Sequence, residues 1–206
     1  MPRVILASQS PRRRELLRRL GVTFTVCPSH VPERNLRGES PARYAIRLAL
    51  AKAHSVSRRY PDCVVIGADT VVVYRNIIFG KPRSPEHAFR MLSTLSGTCH
   101  EVLSAVAVVQ ARSHRRFVDL DRAVVTTRRL PADHLRQLAH KHQDKAGAYA
   151  VQERSDEVVK HVRGSYYTVV GLPVHQVHHL LALLGIPSND LPEPDNIVSA
   201  AANSGR

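Results

Sequence analysis

Residues 63–73 read Cys-Val-Val-Ile-Gly-Ala-Asp-Thr-Val-Val-Val, two β-branched runs separated by Gly67-Ala68-Asp69-Thr70. Runs this rich in valine and isoleucine, with no polar alternation, suit a strand covered on both faces. The glycine-to-threonine stretch reads as an interruption between two pieces of strand. An aspartate in such a setting is costly to bury unless it is paired or holds a cation. Asp69 is therefore the first candidate for chemistry.

Helical patterns lie on either side. Upstream, Ser40-Pro41 supplies a capping hydroxyl and a proline suited to a first turn. Ala45, Ile46, Ala49, Ala53 and Val56 then recur at spacings of three and four, which predicts an amphipathic helix to about Tyr60. Earlier still, residues 3–8 read as a short buried strand. Ser10-Pro11 opens a helix striped by Leu16, Leu17 and Leu20, and Gly21 ends it. Residues 22–40 are mostly strand and loop.

Downstream, Ser84-Pro85-Glu86 starts a helix closed by Gly97. Two strands follow at about 101–111 and 116–127, then a helix from Pro131 to about His142 and a loop at 144–152. Further strand is expected around 157–170, and a last helix from Pro173 to Leu184. Helices and strands mixed along one chain point to an α/β or α+β domain over residues 1–186. Residues 187–206, rich in Pro, Asn, Ser and Ala, read as a flexible, frayed tail.

Composition narrows the class. Of the 206 residues 43% are hydrophobic, enough to bury a core and too many for a disordered chain. No apolar run approaches the roughly 20 residues of a membrane-spanning helix, and Val4–Ala7 is too short for a secretory signal. A cytoplasmic enzyme or binding domain is expected. Cys27, Cys63 and Cys99 form no CxxC pair, and their odd number favours reduced thiols. The net charge is +13, and residues 1–60 alone hold 13 basic against three acidic side chains. Such a surplus answers nucleic acid, an acidic surface or a phosphate-rich small molecule; a solvated basic surface is the plain alternative. Aromatics make up 5%, without tryptophan, and no aromatic-basic stacking strip is visible, so nucleic acid is the weaker choice.

Several constellations could carry chemistry. Ser8-Gln9-Ser10-Pro11-Arg12-Arg13-Arg14 places guanidinium groups in the first turn of a helix, where unpartnered N–H groups and the helix dipole favour anions instead. The simplest resolution is a polyphosphate partner. Lys52 sits within the Ala-rich helix, and Lys81 lies in Gly80-Lys81-Pro82, without the spacing of a Walker-type loop. Glu33 falls in a Pro-rich loop. Gln152 closes Asp144-Lys145-Ala146-Gly147-Ala148-Tyr149-Ala150-Val151-Gln152, and its amide offers both donor and acceptor to a base edge. His175, His178 and His179 follow helical spacing without a carboxylate partner, which reads as surface or core histidine, and HExxH, Gly-x-Ser-x-Gly and GxGxxG are all lacking.

Taken in order, LASQSPRRRELL, GADTVVV, GKP, LSGTCHEV, DKAGAYAVQ and GSYYTVVGLP closely resemble the Maf family of nucleoside triphosphate pyrophosphatases, from about Val4 to Leu184. The resemblance implies an α/β fold: a mixed β-sheet flanked by helices with a long central cleft, related to the inosine triphosphatase type. It implies hydrolysis between the α and β phosphates, a divalent metal, usually Mg2+, and a homodimer. Arg12, Thr70 and Gln152 match the branch acting on dTTP and UTP, where the 7-methyl-GTP branch tends to have Trp, Gln and Glu. Glu153 departs from the glycine often found after the glutamine.

The roles implied are specific. Arg12 and Arg13 would clamp phosphate oxygens, with Ser8 adding hydrogen bonds. Lys52 and Lys81 would neutralise phosphate charge, and Glu33 and Asp69 would hold the metal. Asp69 would also orient or deprotonate the attacking water, while Thr70 and Gln152 would read the pyrimidine edge. Housecleaning of modified pyrimidine nucleotides fits the same pocket. The competing class is a nucleic-acid-binding or cell-division regulator that senses nucleotide in this pocket.

Overall fold

The computed structural model describes residues 2–152, 155 and 157–194. Seven strands form one mixed sheet. In chain order they are β1 (Val4–Leu6), β2 (Phe24–Val26), β3 (Val64–Tyr74), β4 (Ile77–Phe79), β5 (Cys99–Gln110), β6 (Arg115–Thr127) and β7 (Val159–Arg163). The helices are α1 (Pro11–Arg19), α2 (Pro41–Ser57), α3 (Pro85–Leu95), α4 (Ala132–Lys141), α5 (Tyr166–Val170) and α6 (Val174–Ala182). Strand order is β2-β1-β3-β5-β6-β7, with β1 parallel to both its neighbours and the remaining pairs antiparallel.

The three serine-proline starts work as their chemistry requires. Ser10, Ser40 and Ser84 accept from the backbone N–H of Arg13, Arg43 and His87, and proline occupies the first turn each time. The sheet is then covered on both faces. Helix α2 packs Leu48, Ala49 and Val56 against Val65, Val71 and Val73. On the opposite face α1 and α6 bury Leu16, Leu17 and Val177 against Val64, Ile66 and Ala68. Farther along that face, α3 and α4 bury Leu92, Leu95 and Leu138 against Val72 and Val125.

The expected break at residues 67–70 does not occur: β3 runs unbroken through Gly67-Ala68-Asp69-Thr70. Gly67 is there for space, because a Cβ would stand 2.3 Å from the Ala49 carbonyl oxygen of α2. What does break is the pairing along one edge. β1 pairs Val64–Ile66 and β4 pairs Val72–Tyr74, while β5 runs along the other edge from Val65 to Val73. Between β1 and β4, residues 67–71 have no neighbouring strand on that edge among the described residues.

Two further expectations are corrected. The β-branched and aromatic run Tyr166–Val170 is helix, not strand: β7 ends at Arg163, Gly164 turns the chain at φ 102°, and Tyr167 and Thr168 are fully buried in the helical turn. Tertiary burial overrides strand propensity here. The start of the C-terminal segment is also not frayed. Residues 187–194 run against the body, where Asn189 N–H donates to the Leu20 carbonyl and Leu191 packs on the core. The rest of that segment lies outside the described residues, as does Glu153. The three cysteines are free thiols, and among the described residues no helix is long and apolar enough to cross a membrane.

Candidate active site

The missing strand neighbour at residues 67–71 opens a cleft, and β3 presents its two faces to it. Side chains alternate along a strand, so Asp69 points with Gly67 and Val71 toward α2, whereas Thr70 points with Ala68 toward α1 and α5. The cleft wraps round this edge. Its lining includes Arg12, Arg13, Glu33, Lys52, Asp69 and Thr70 together with Lys81, Lys145 and Gln152.

On the α2 side the charges are tightly paired. Lys52 projects from the buried stripe of α2, and its Nζ lies 2.6 Å from Asp69 Oδ1 and 2.6 Å from Glu33 Oε1. Asp69 and Lys52 are both buried. Desolvation raises the Asp69 carboxyl pKa above its ordinary value, against the pull of Lys52 and Arg13 and helped by Glu33. Glu33 goes the other way: burial acts to raise it, but Lys52, with Lys81 and Arg13, outweighs burial and lowers it. Tyr44 stands in the same wall, its phenol pushed up to about 12 by desolvation and by the charges of Asp69 and Glu33.

On the α1 side the arrangement is a hydrogen-bond network around one guanidinium. Arg13 donates from Nε to the Gly171 carbonyl at 2.8 Å, and from its terminal nitrogens to Ser8 Oγ at 3.3 Å and Thr70 Oγ1 at 3.2 Å. Desolvation works against the Arg13 charge, Asp69 and Glu33 support it, and Arg12 opposes it. Ser104 donates to the Thr168 carbonyl at 2.7 Å, and the Thr70 hydroxyl has two acceptors for its one hydrogen, Ser104 Oγ at 2.8 Å and the Gly171 carbonyl at 3.2 Å. The Thr70 hydroxyl is thus engaged with Arg13, Ser104 and the Gly171 carbonyl at the cleft wall. Ser8 likewise sits behind Arg13, off the cleft wall.

The far wall is the loop from Asp144 to Gln152. Arg12 donates to Asp144 at 2.9 Å, and Lys145 donates to the other oxygen of the same carboxylate at 2.9 Å. Burial acts to raise the Asp144 carboxyl, but those two hydrogen bonds bring it down to about 2. A 3-10 turn at Ala146–Ala148 follows, with Gly147 at φ 72° and Ala148 at φ 62°. Gly147 N–H donates to the Gly80 carbonyl, tying this loop to the one carrying Lys81. Tyr149 returns into the core, where its hydroxyl lies 2.8 Å from Nε2 of the buried His100.

All the sequence candidates except Ser8 line this one cleft. Sequence reasoning passed over Tyr44, Asp144 and Lys145 as site residues. The Asp144–Gln152 block was visible as a unit, but only the fold shows which of its side chains face inward. Among the described residues no group of three or more His, Cys, Asp or Glu is gathered for a metal.

The model of the Maf-like protein family matches residues 3–184. The chain belongs to that family. Maf-like relatives with curated names agree along nearly their whole length. A dTTP/UTP pyrophosphatase of Moorella thermoacetica is 46% identical over 188 residues, 90% of this chain and 97% of that protein. One from Symbiobacterium thermophilum is 42% identical over 91% and 96% of the two chains. Among solved structures, a HAM1 protein from Coxiella burnetii shares the fold at a TM-score of 0.50 and 16% identity, over 89% of this chain and 100% of that one.

Proposed function

We propose that this Maf-like chain hydrolyses nucleoside triphosphates, dTTP and UTP foremost, to the monophosphate and pyrophosphate. The observation that carries the reading is the charge of the cleft: Arg12, Arg13, Lys52, Lys81 and Lys145 against Glu33, Asp69 and Asp144. A surplus of cations around a buried carboxylate suits a polyphosphate and the removal of a proton beside it. The names of the relatives supply the choice of nucleotide.

A divalent cation of the Mg2+ type fits Glu33 and Asp69. Both carboxylates already converge on one positive centre, the Lys52 ammonium, at 2.6 Å each. Such an ion takes one or two carboxylates and keeps its remaining waters, so a third protein ligand is not required. When bound it would offset charge on the phosphate oxygens.

The residues divide the remaining work. Arg13, held by Gly171, Thr70 and Ser8, presents a fixed fork to phosphate oxygens, with Arg12 beside it. Asp69, buried at the open edge of β3 beside Lys52, takes a proton from the water that attacks the α phosphorus. The bond from that phosphorus to the bridging oxygen breaks, and pyrophosphate leaves with the electron pair. Lys52 and Lys81 face the charge that accumulates. Gln152 and the loop before it meet the base.

The test is a panel of nucleoside triphosphates, including modified pyrimidines, assayed for pyrophosphate with and without Mg2+. Release from dTTP and UTP well above the purine nucleotides is expected. Absence of release from every nucleotide, with DNA binding that weakens along a salt series, would replace this reading with the nucleic-acid one.

A further inference from the structure

Arg13 belongs to α1, yet its Nε–H is fixed by the carbonyl of Gly171, which closes α5. The placement of its guanidinium therefore depends on how α1 and α5 are held together. Residues 188–193, which follow the stretch matched by the family model, tie those two helices at their ends away from Arg13. Asn189 N–H donates to Leu20 O at the end of α1 at 2.8 Å. Two contacts with α6 follow, Ser188 Oγ to His178 Nδ1 at 2.8 Å and Asp190 Oδ1 to His175 Nδ1 at 3.0 Å. Glu193 then reaches α5: its Oε2 accepts from the Tyr166 N–H at 2.9 Å, while Oε1 lies 3.3 Å from His175 Nε2.

Tyr167 is the joint of this assembly. Its fully buried ring lies 5.8 Å from the Arg19 guanidinium of α1 and 6.2 Å from the His175 ring of α6, and its hydroxyl donates to the Pro192 carbonyl at 2.7 Å. The same residue's carbonyl accepts from Gly171 N–H and Leu172 N–H. One turn thus separates the Glu193 cap from the carbonyl that holds Arg13. A five-residue helix has little stability of its own, so what secures its first turn also secures its last.

We infer that residues 188–193 are a strap that positions Arg13, by locking α5 to α1 so that the Gly171 carbonyl meets the guanidinium. The strap also accounts for acidic side chains set in a strongly basic chain: Asp190 and Glu193 both face His175, giving that histidine the carboxylate partners its helical spacing alone does not show. Its consequence for catalysis rests on Arg13 being a phosphate ligand. Its consequence for Arg13 does not.

Two variants of the full chain test it, Glu193→Ala and Glu193→Gln. Glu193 is partly exposed, with its side chain 42% accessible, so both variants should fold. Hydrogen exchange at the Arg13 Nε–H and at the Tyr166, Gly171 and Leu172 amides is followed by NMR, alongside kcat/KM for dTTP and the unfolding midpoint. In Glu193→Ala, Arg13 Nε–H exchange should accelerate by about fivefold, the ordinary effect of a lost cap, and kcat/KM should fall by a similar factor. Glu193→Gln, whose carbonyl can still accept from Tyr166, should restore both. Faster exchange at Tyr166 with Arg13 unchanged would overturn the inference, since the contact would then be a local cap. So would a change at Arg13 that only follows the loss of global stability and is not restored by glutamine. The outcomes also separate this inference from the proposed reaction. A chain that releases no pyrophosphate but frees Arg13 in Glu193→Ala keeps the strap and loses the reaction, and normal hydrolysis with unchanged exchange does the reverse.

Discussion

The two walls of the cleft are built differently. Arg13, Lys52 and Asp69 stand on regular elements, a helix start, the middle of a long helix and the middle of a buried strand, and each makes hydrogen bonds of defined geometry. The opposite wall, Asp144 to Gln152, is irregular backbone with two consecutive residues at positive φ, anchored from below by His100 and Tyr149. Chemistry common to every triphosphate needs fixed charges, which rigid elements supply. Recognition of one base among several needs a surface that can differ between related proteins, and loops tolerate such change. On the proposed reaction, rate belongs to the first wall and choice of nucleotide to the second.

The largest expected effect breaks the first wall. Asp69→Asn keeps the shape of the side chain and can still accept from Lys52, but it cannot take up a proton from water. Turnover should fall by on the order of a hundredfold or more on every nucleotide, with their ranking unchanged. Steady-state kinetics on dTTP and UTP, with circular dichroism as a folding control, reads this out; near-normal turnover would remove Asp69 from the mechanism.

The second wall should respond through stability. His100 is buried and neutral, its pKa lowered by desolvation from 6.5 to about 4. The unfolded chain takes up a proton on this histidine below about pH 6.5 and the folded chain does not, so stability is complete above that pH and drains away as pH falls toward 4. By pH 5 the loss from this one group is about 2 kcal/mol. Urea unfolding at pH 7 and pH 5 should show it, and the His100→Gln variant should lack that part of the slope; an equal slope in both proteins would contradict the assignment. Gly147→Ala sharpens the point at slightly lower cost. The new Cβ would sit 3.1 Å from Tyr149 and Val72 at φ 72°, costing about 1–2 kcal/mol. KM should rise more than kcat falls, because the disturbed loop does not carry Asp69, the proposed base, which stands on β3; a loss confined to kcat would place the loop in the chemistry instead.

The difference between the walls also explains what could be read beforehand. The serine-proline starts, the alternation-free valine run and the leucine stripes are local signals, and they placed Arg12, Arg13, Lys52 and Asp69 on elements that the fold then brings to one cleft. The continuity of β3 was misread because Gly67 answers a helix that approaches from elsewhere, a fact no local pattern contains. Tyr166–Val170 was misread for the same reason: burial of Tyr167 among α1, α6 and Pro192 decides its conformation. Within the Asp144–Gln152 loop nothing periodic shows that the Tyr149 hydroxyl reaches the buried His100 while Lys145 and Arg12 share the Asp144 carboxylate. The basic first turn of α1 was legible as an unmet need for anions, yet the Ser8, Thr70 and Gly171 contacts that aim Arg13 come from three separate parts of the chain.

The smallest effect is the most selective. Gln152 ends the irregular wall, and its amide can both donate to and accept from a pyrimidine edge, whereas a glutamate can only accept and brings a charge. Where a site is built to hydrogen-bond a base, removing one half of the pairing leaves a polar group unmatched, at a cost of about 1–2 kcal/mol. Gln152→Glu should thus lower kcat/KM for dTTP and UTP by about tenfold. Nucleotides that present a donor at the corresponding edge should lose less or gain. The phosphate-gripping wall is untouched, so pyrophosphate release from a poor substrate should keep its original turnover. An equal loss across the whole panel would mean that Gln152 supports the loop without reading the base, and the division of labour between the two walls would fail at the residue where it is most exposed to test.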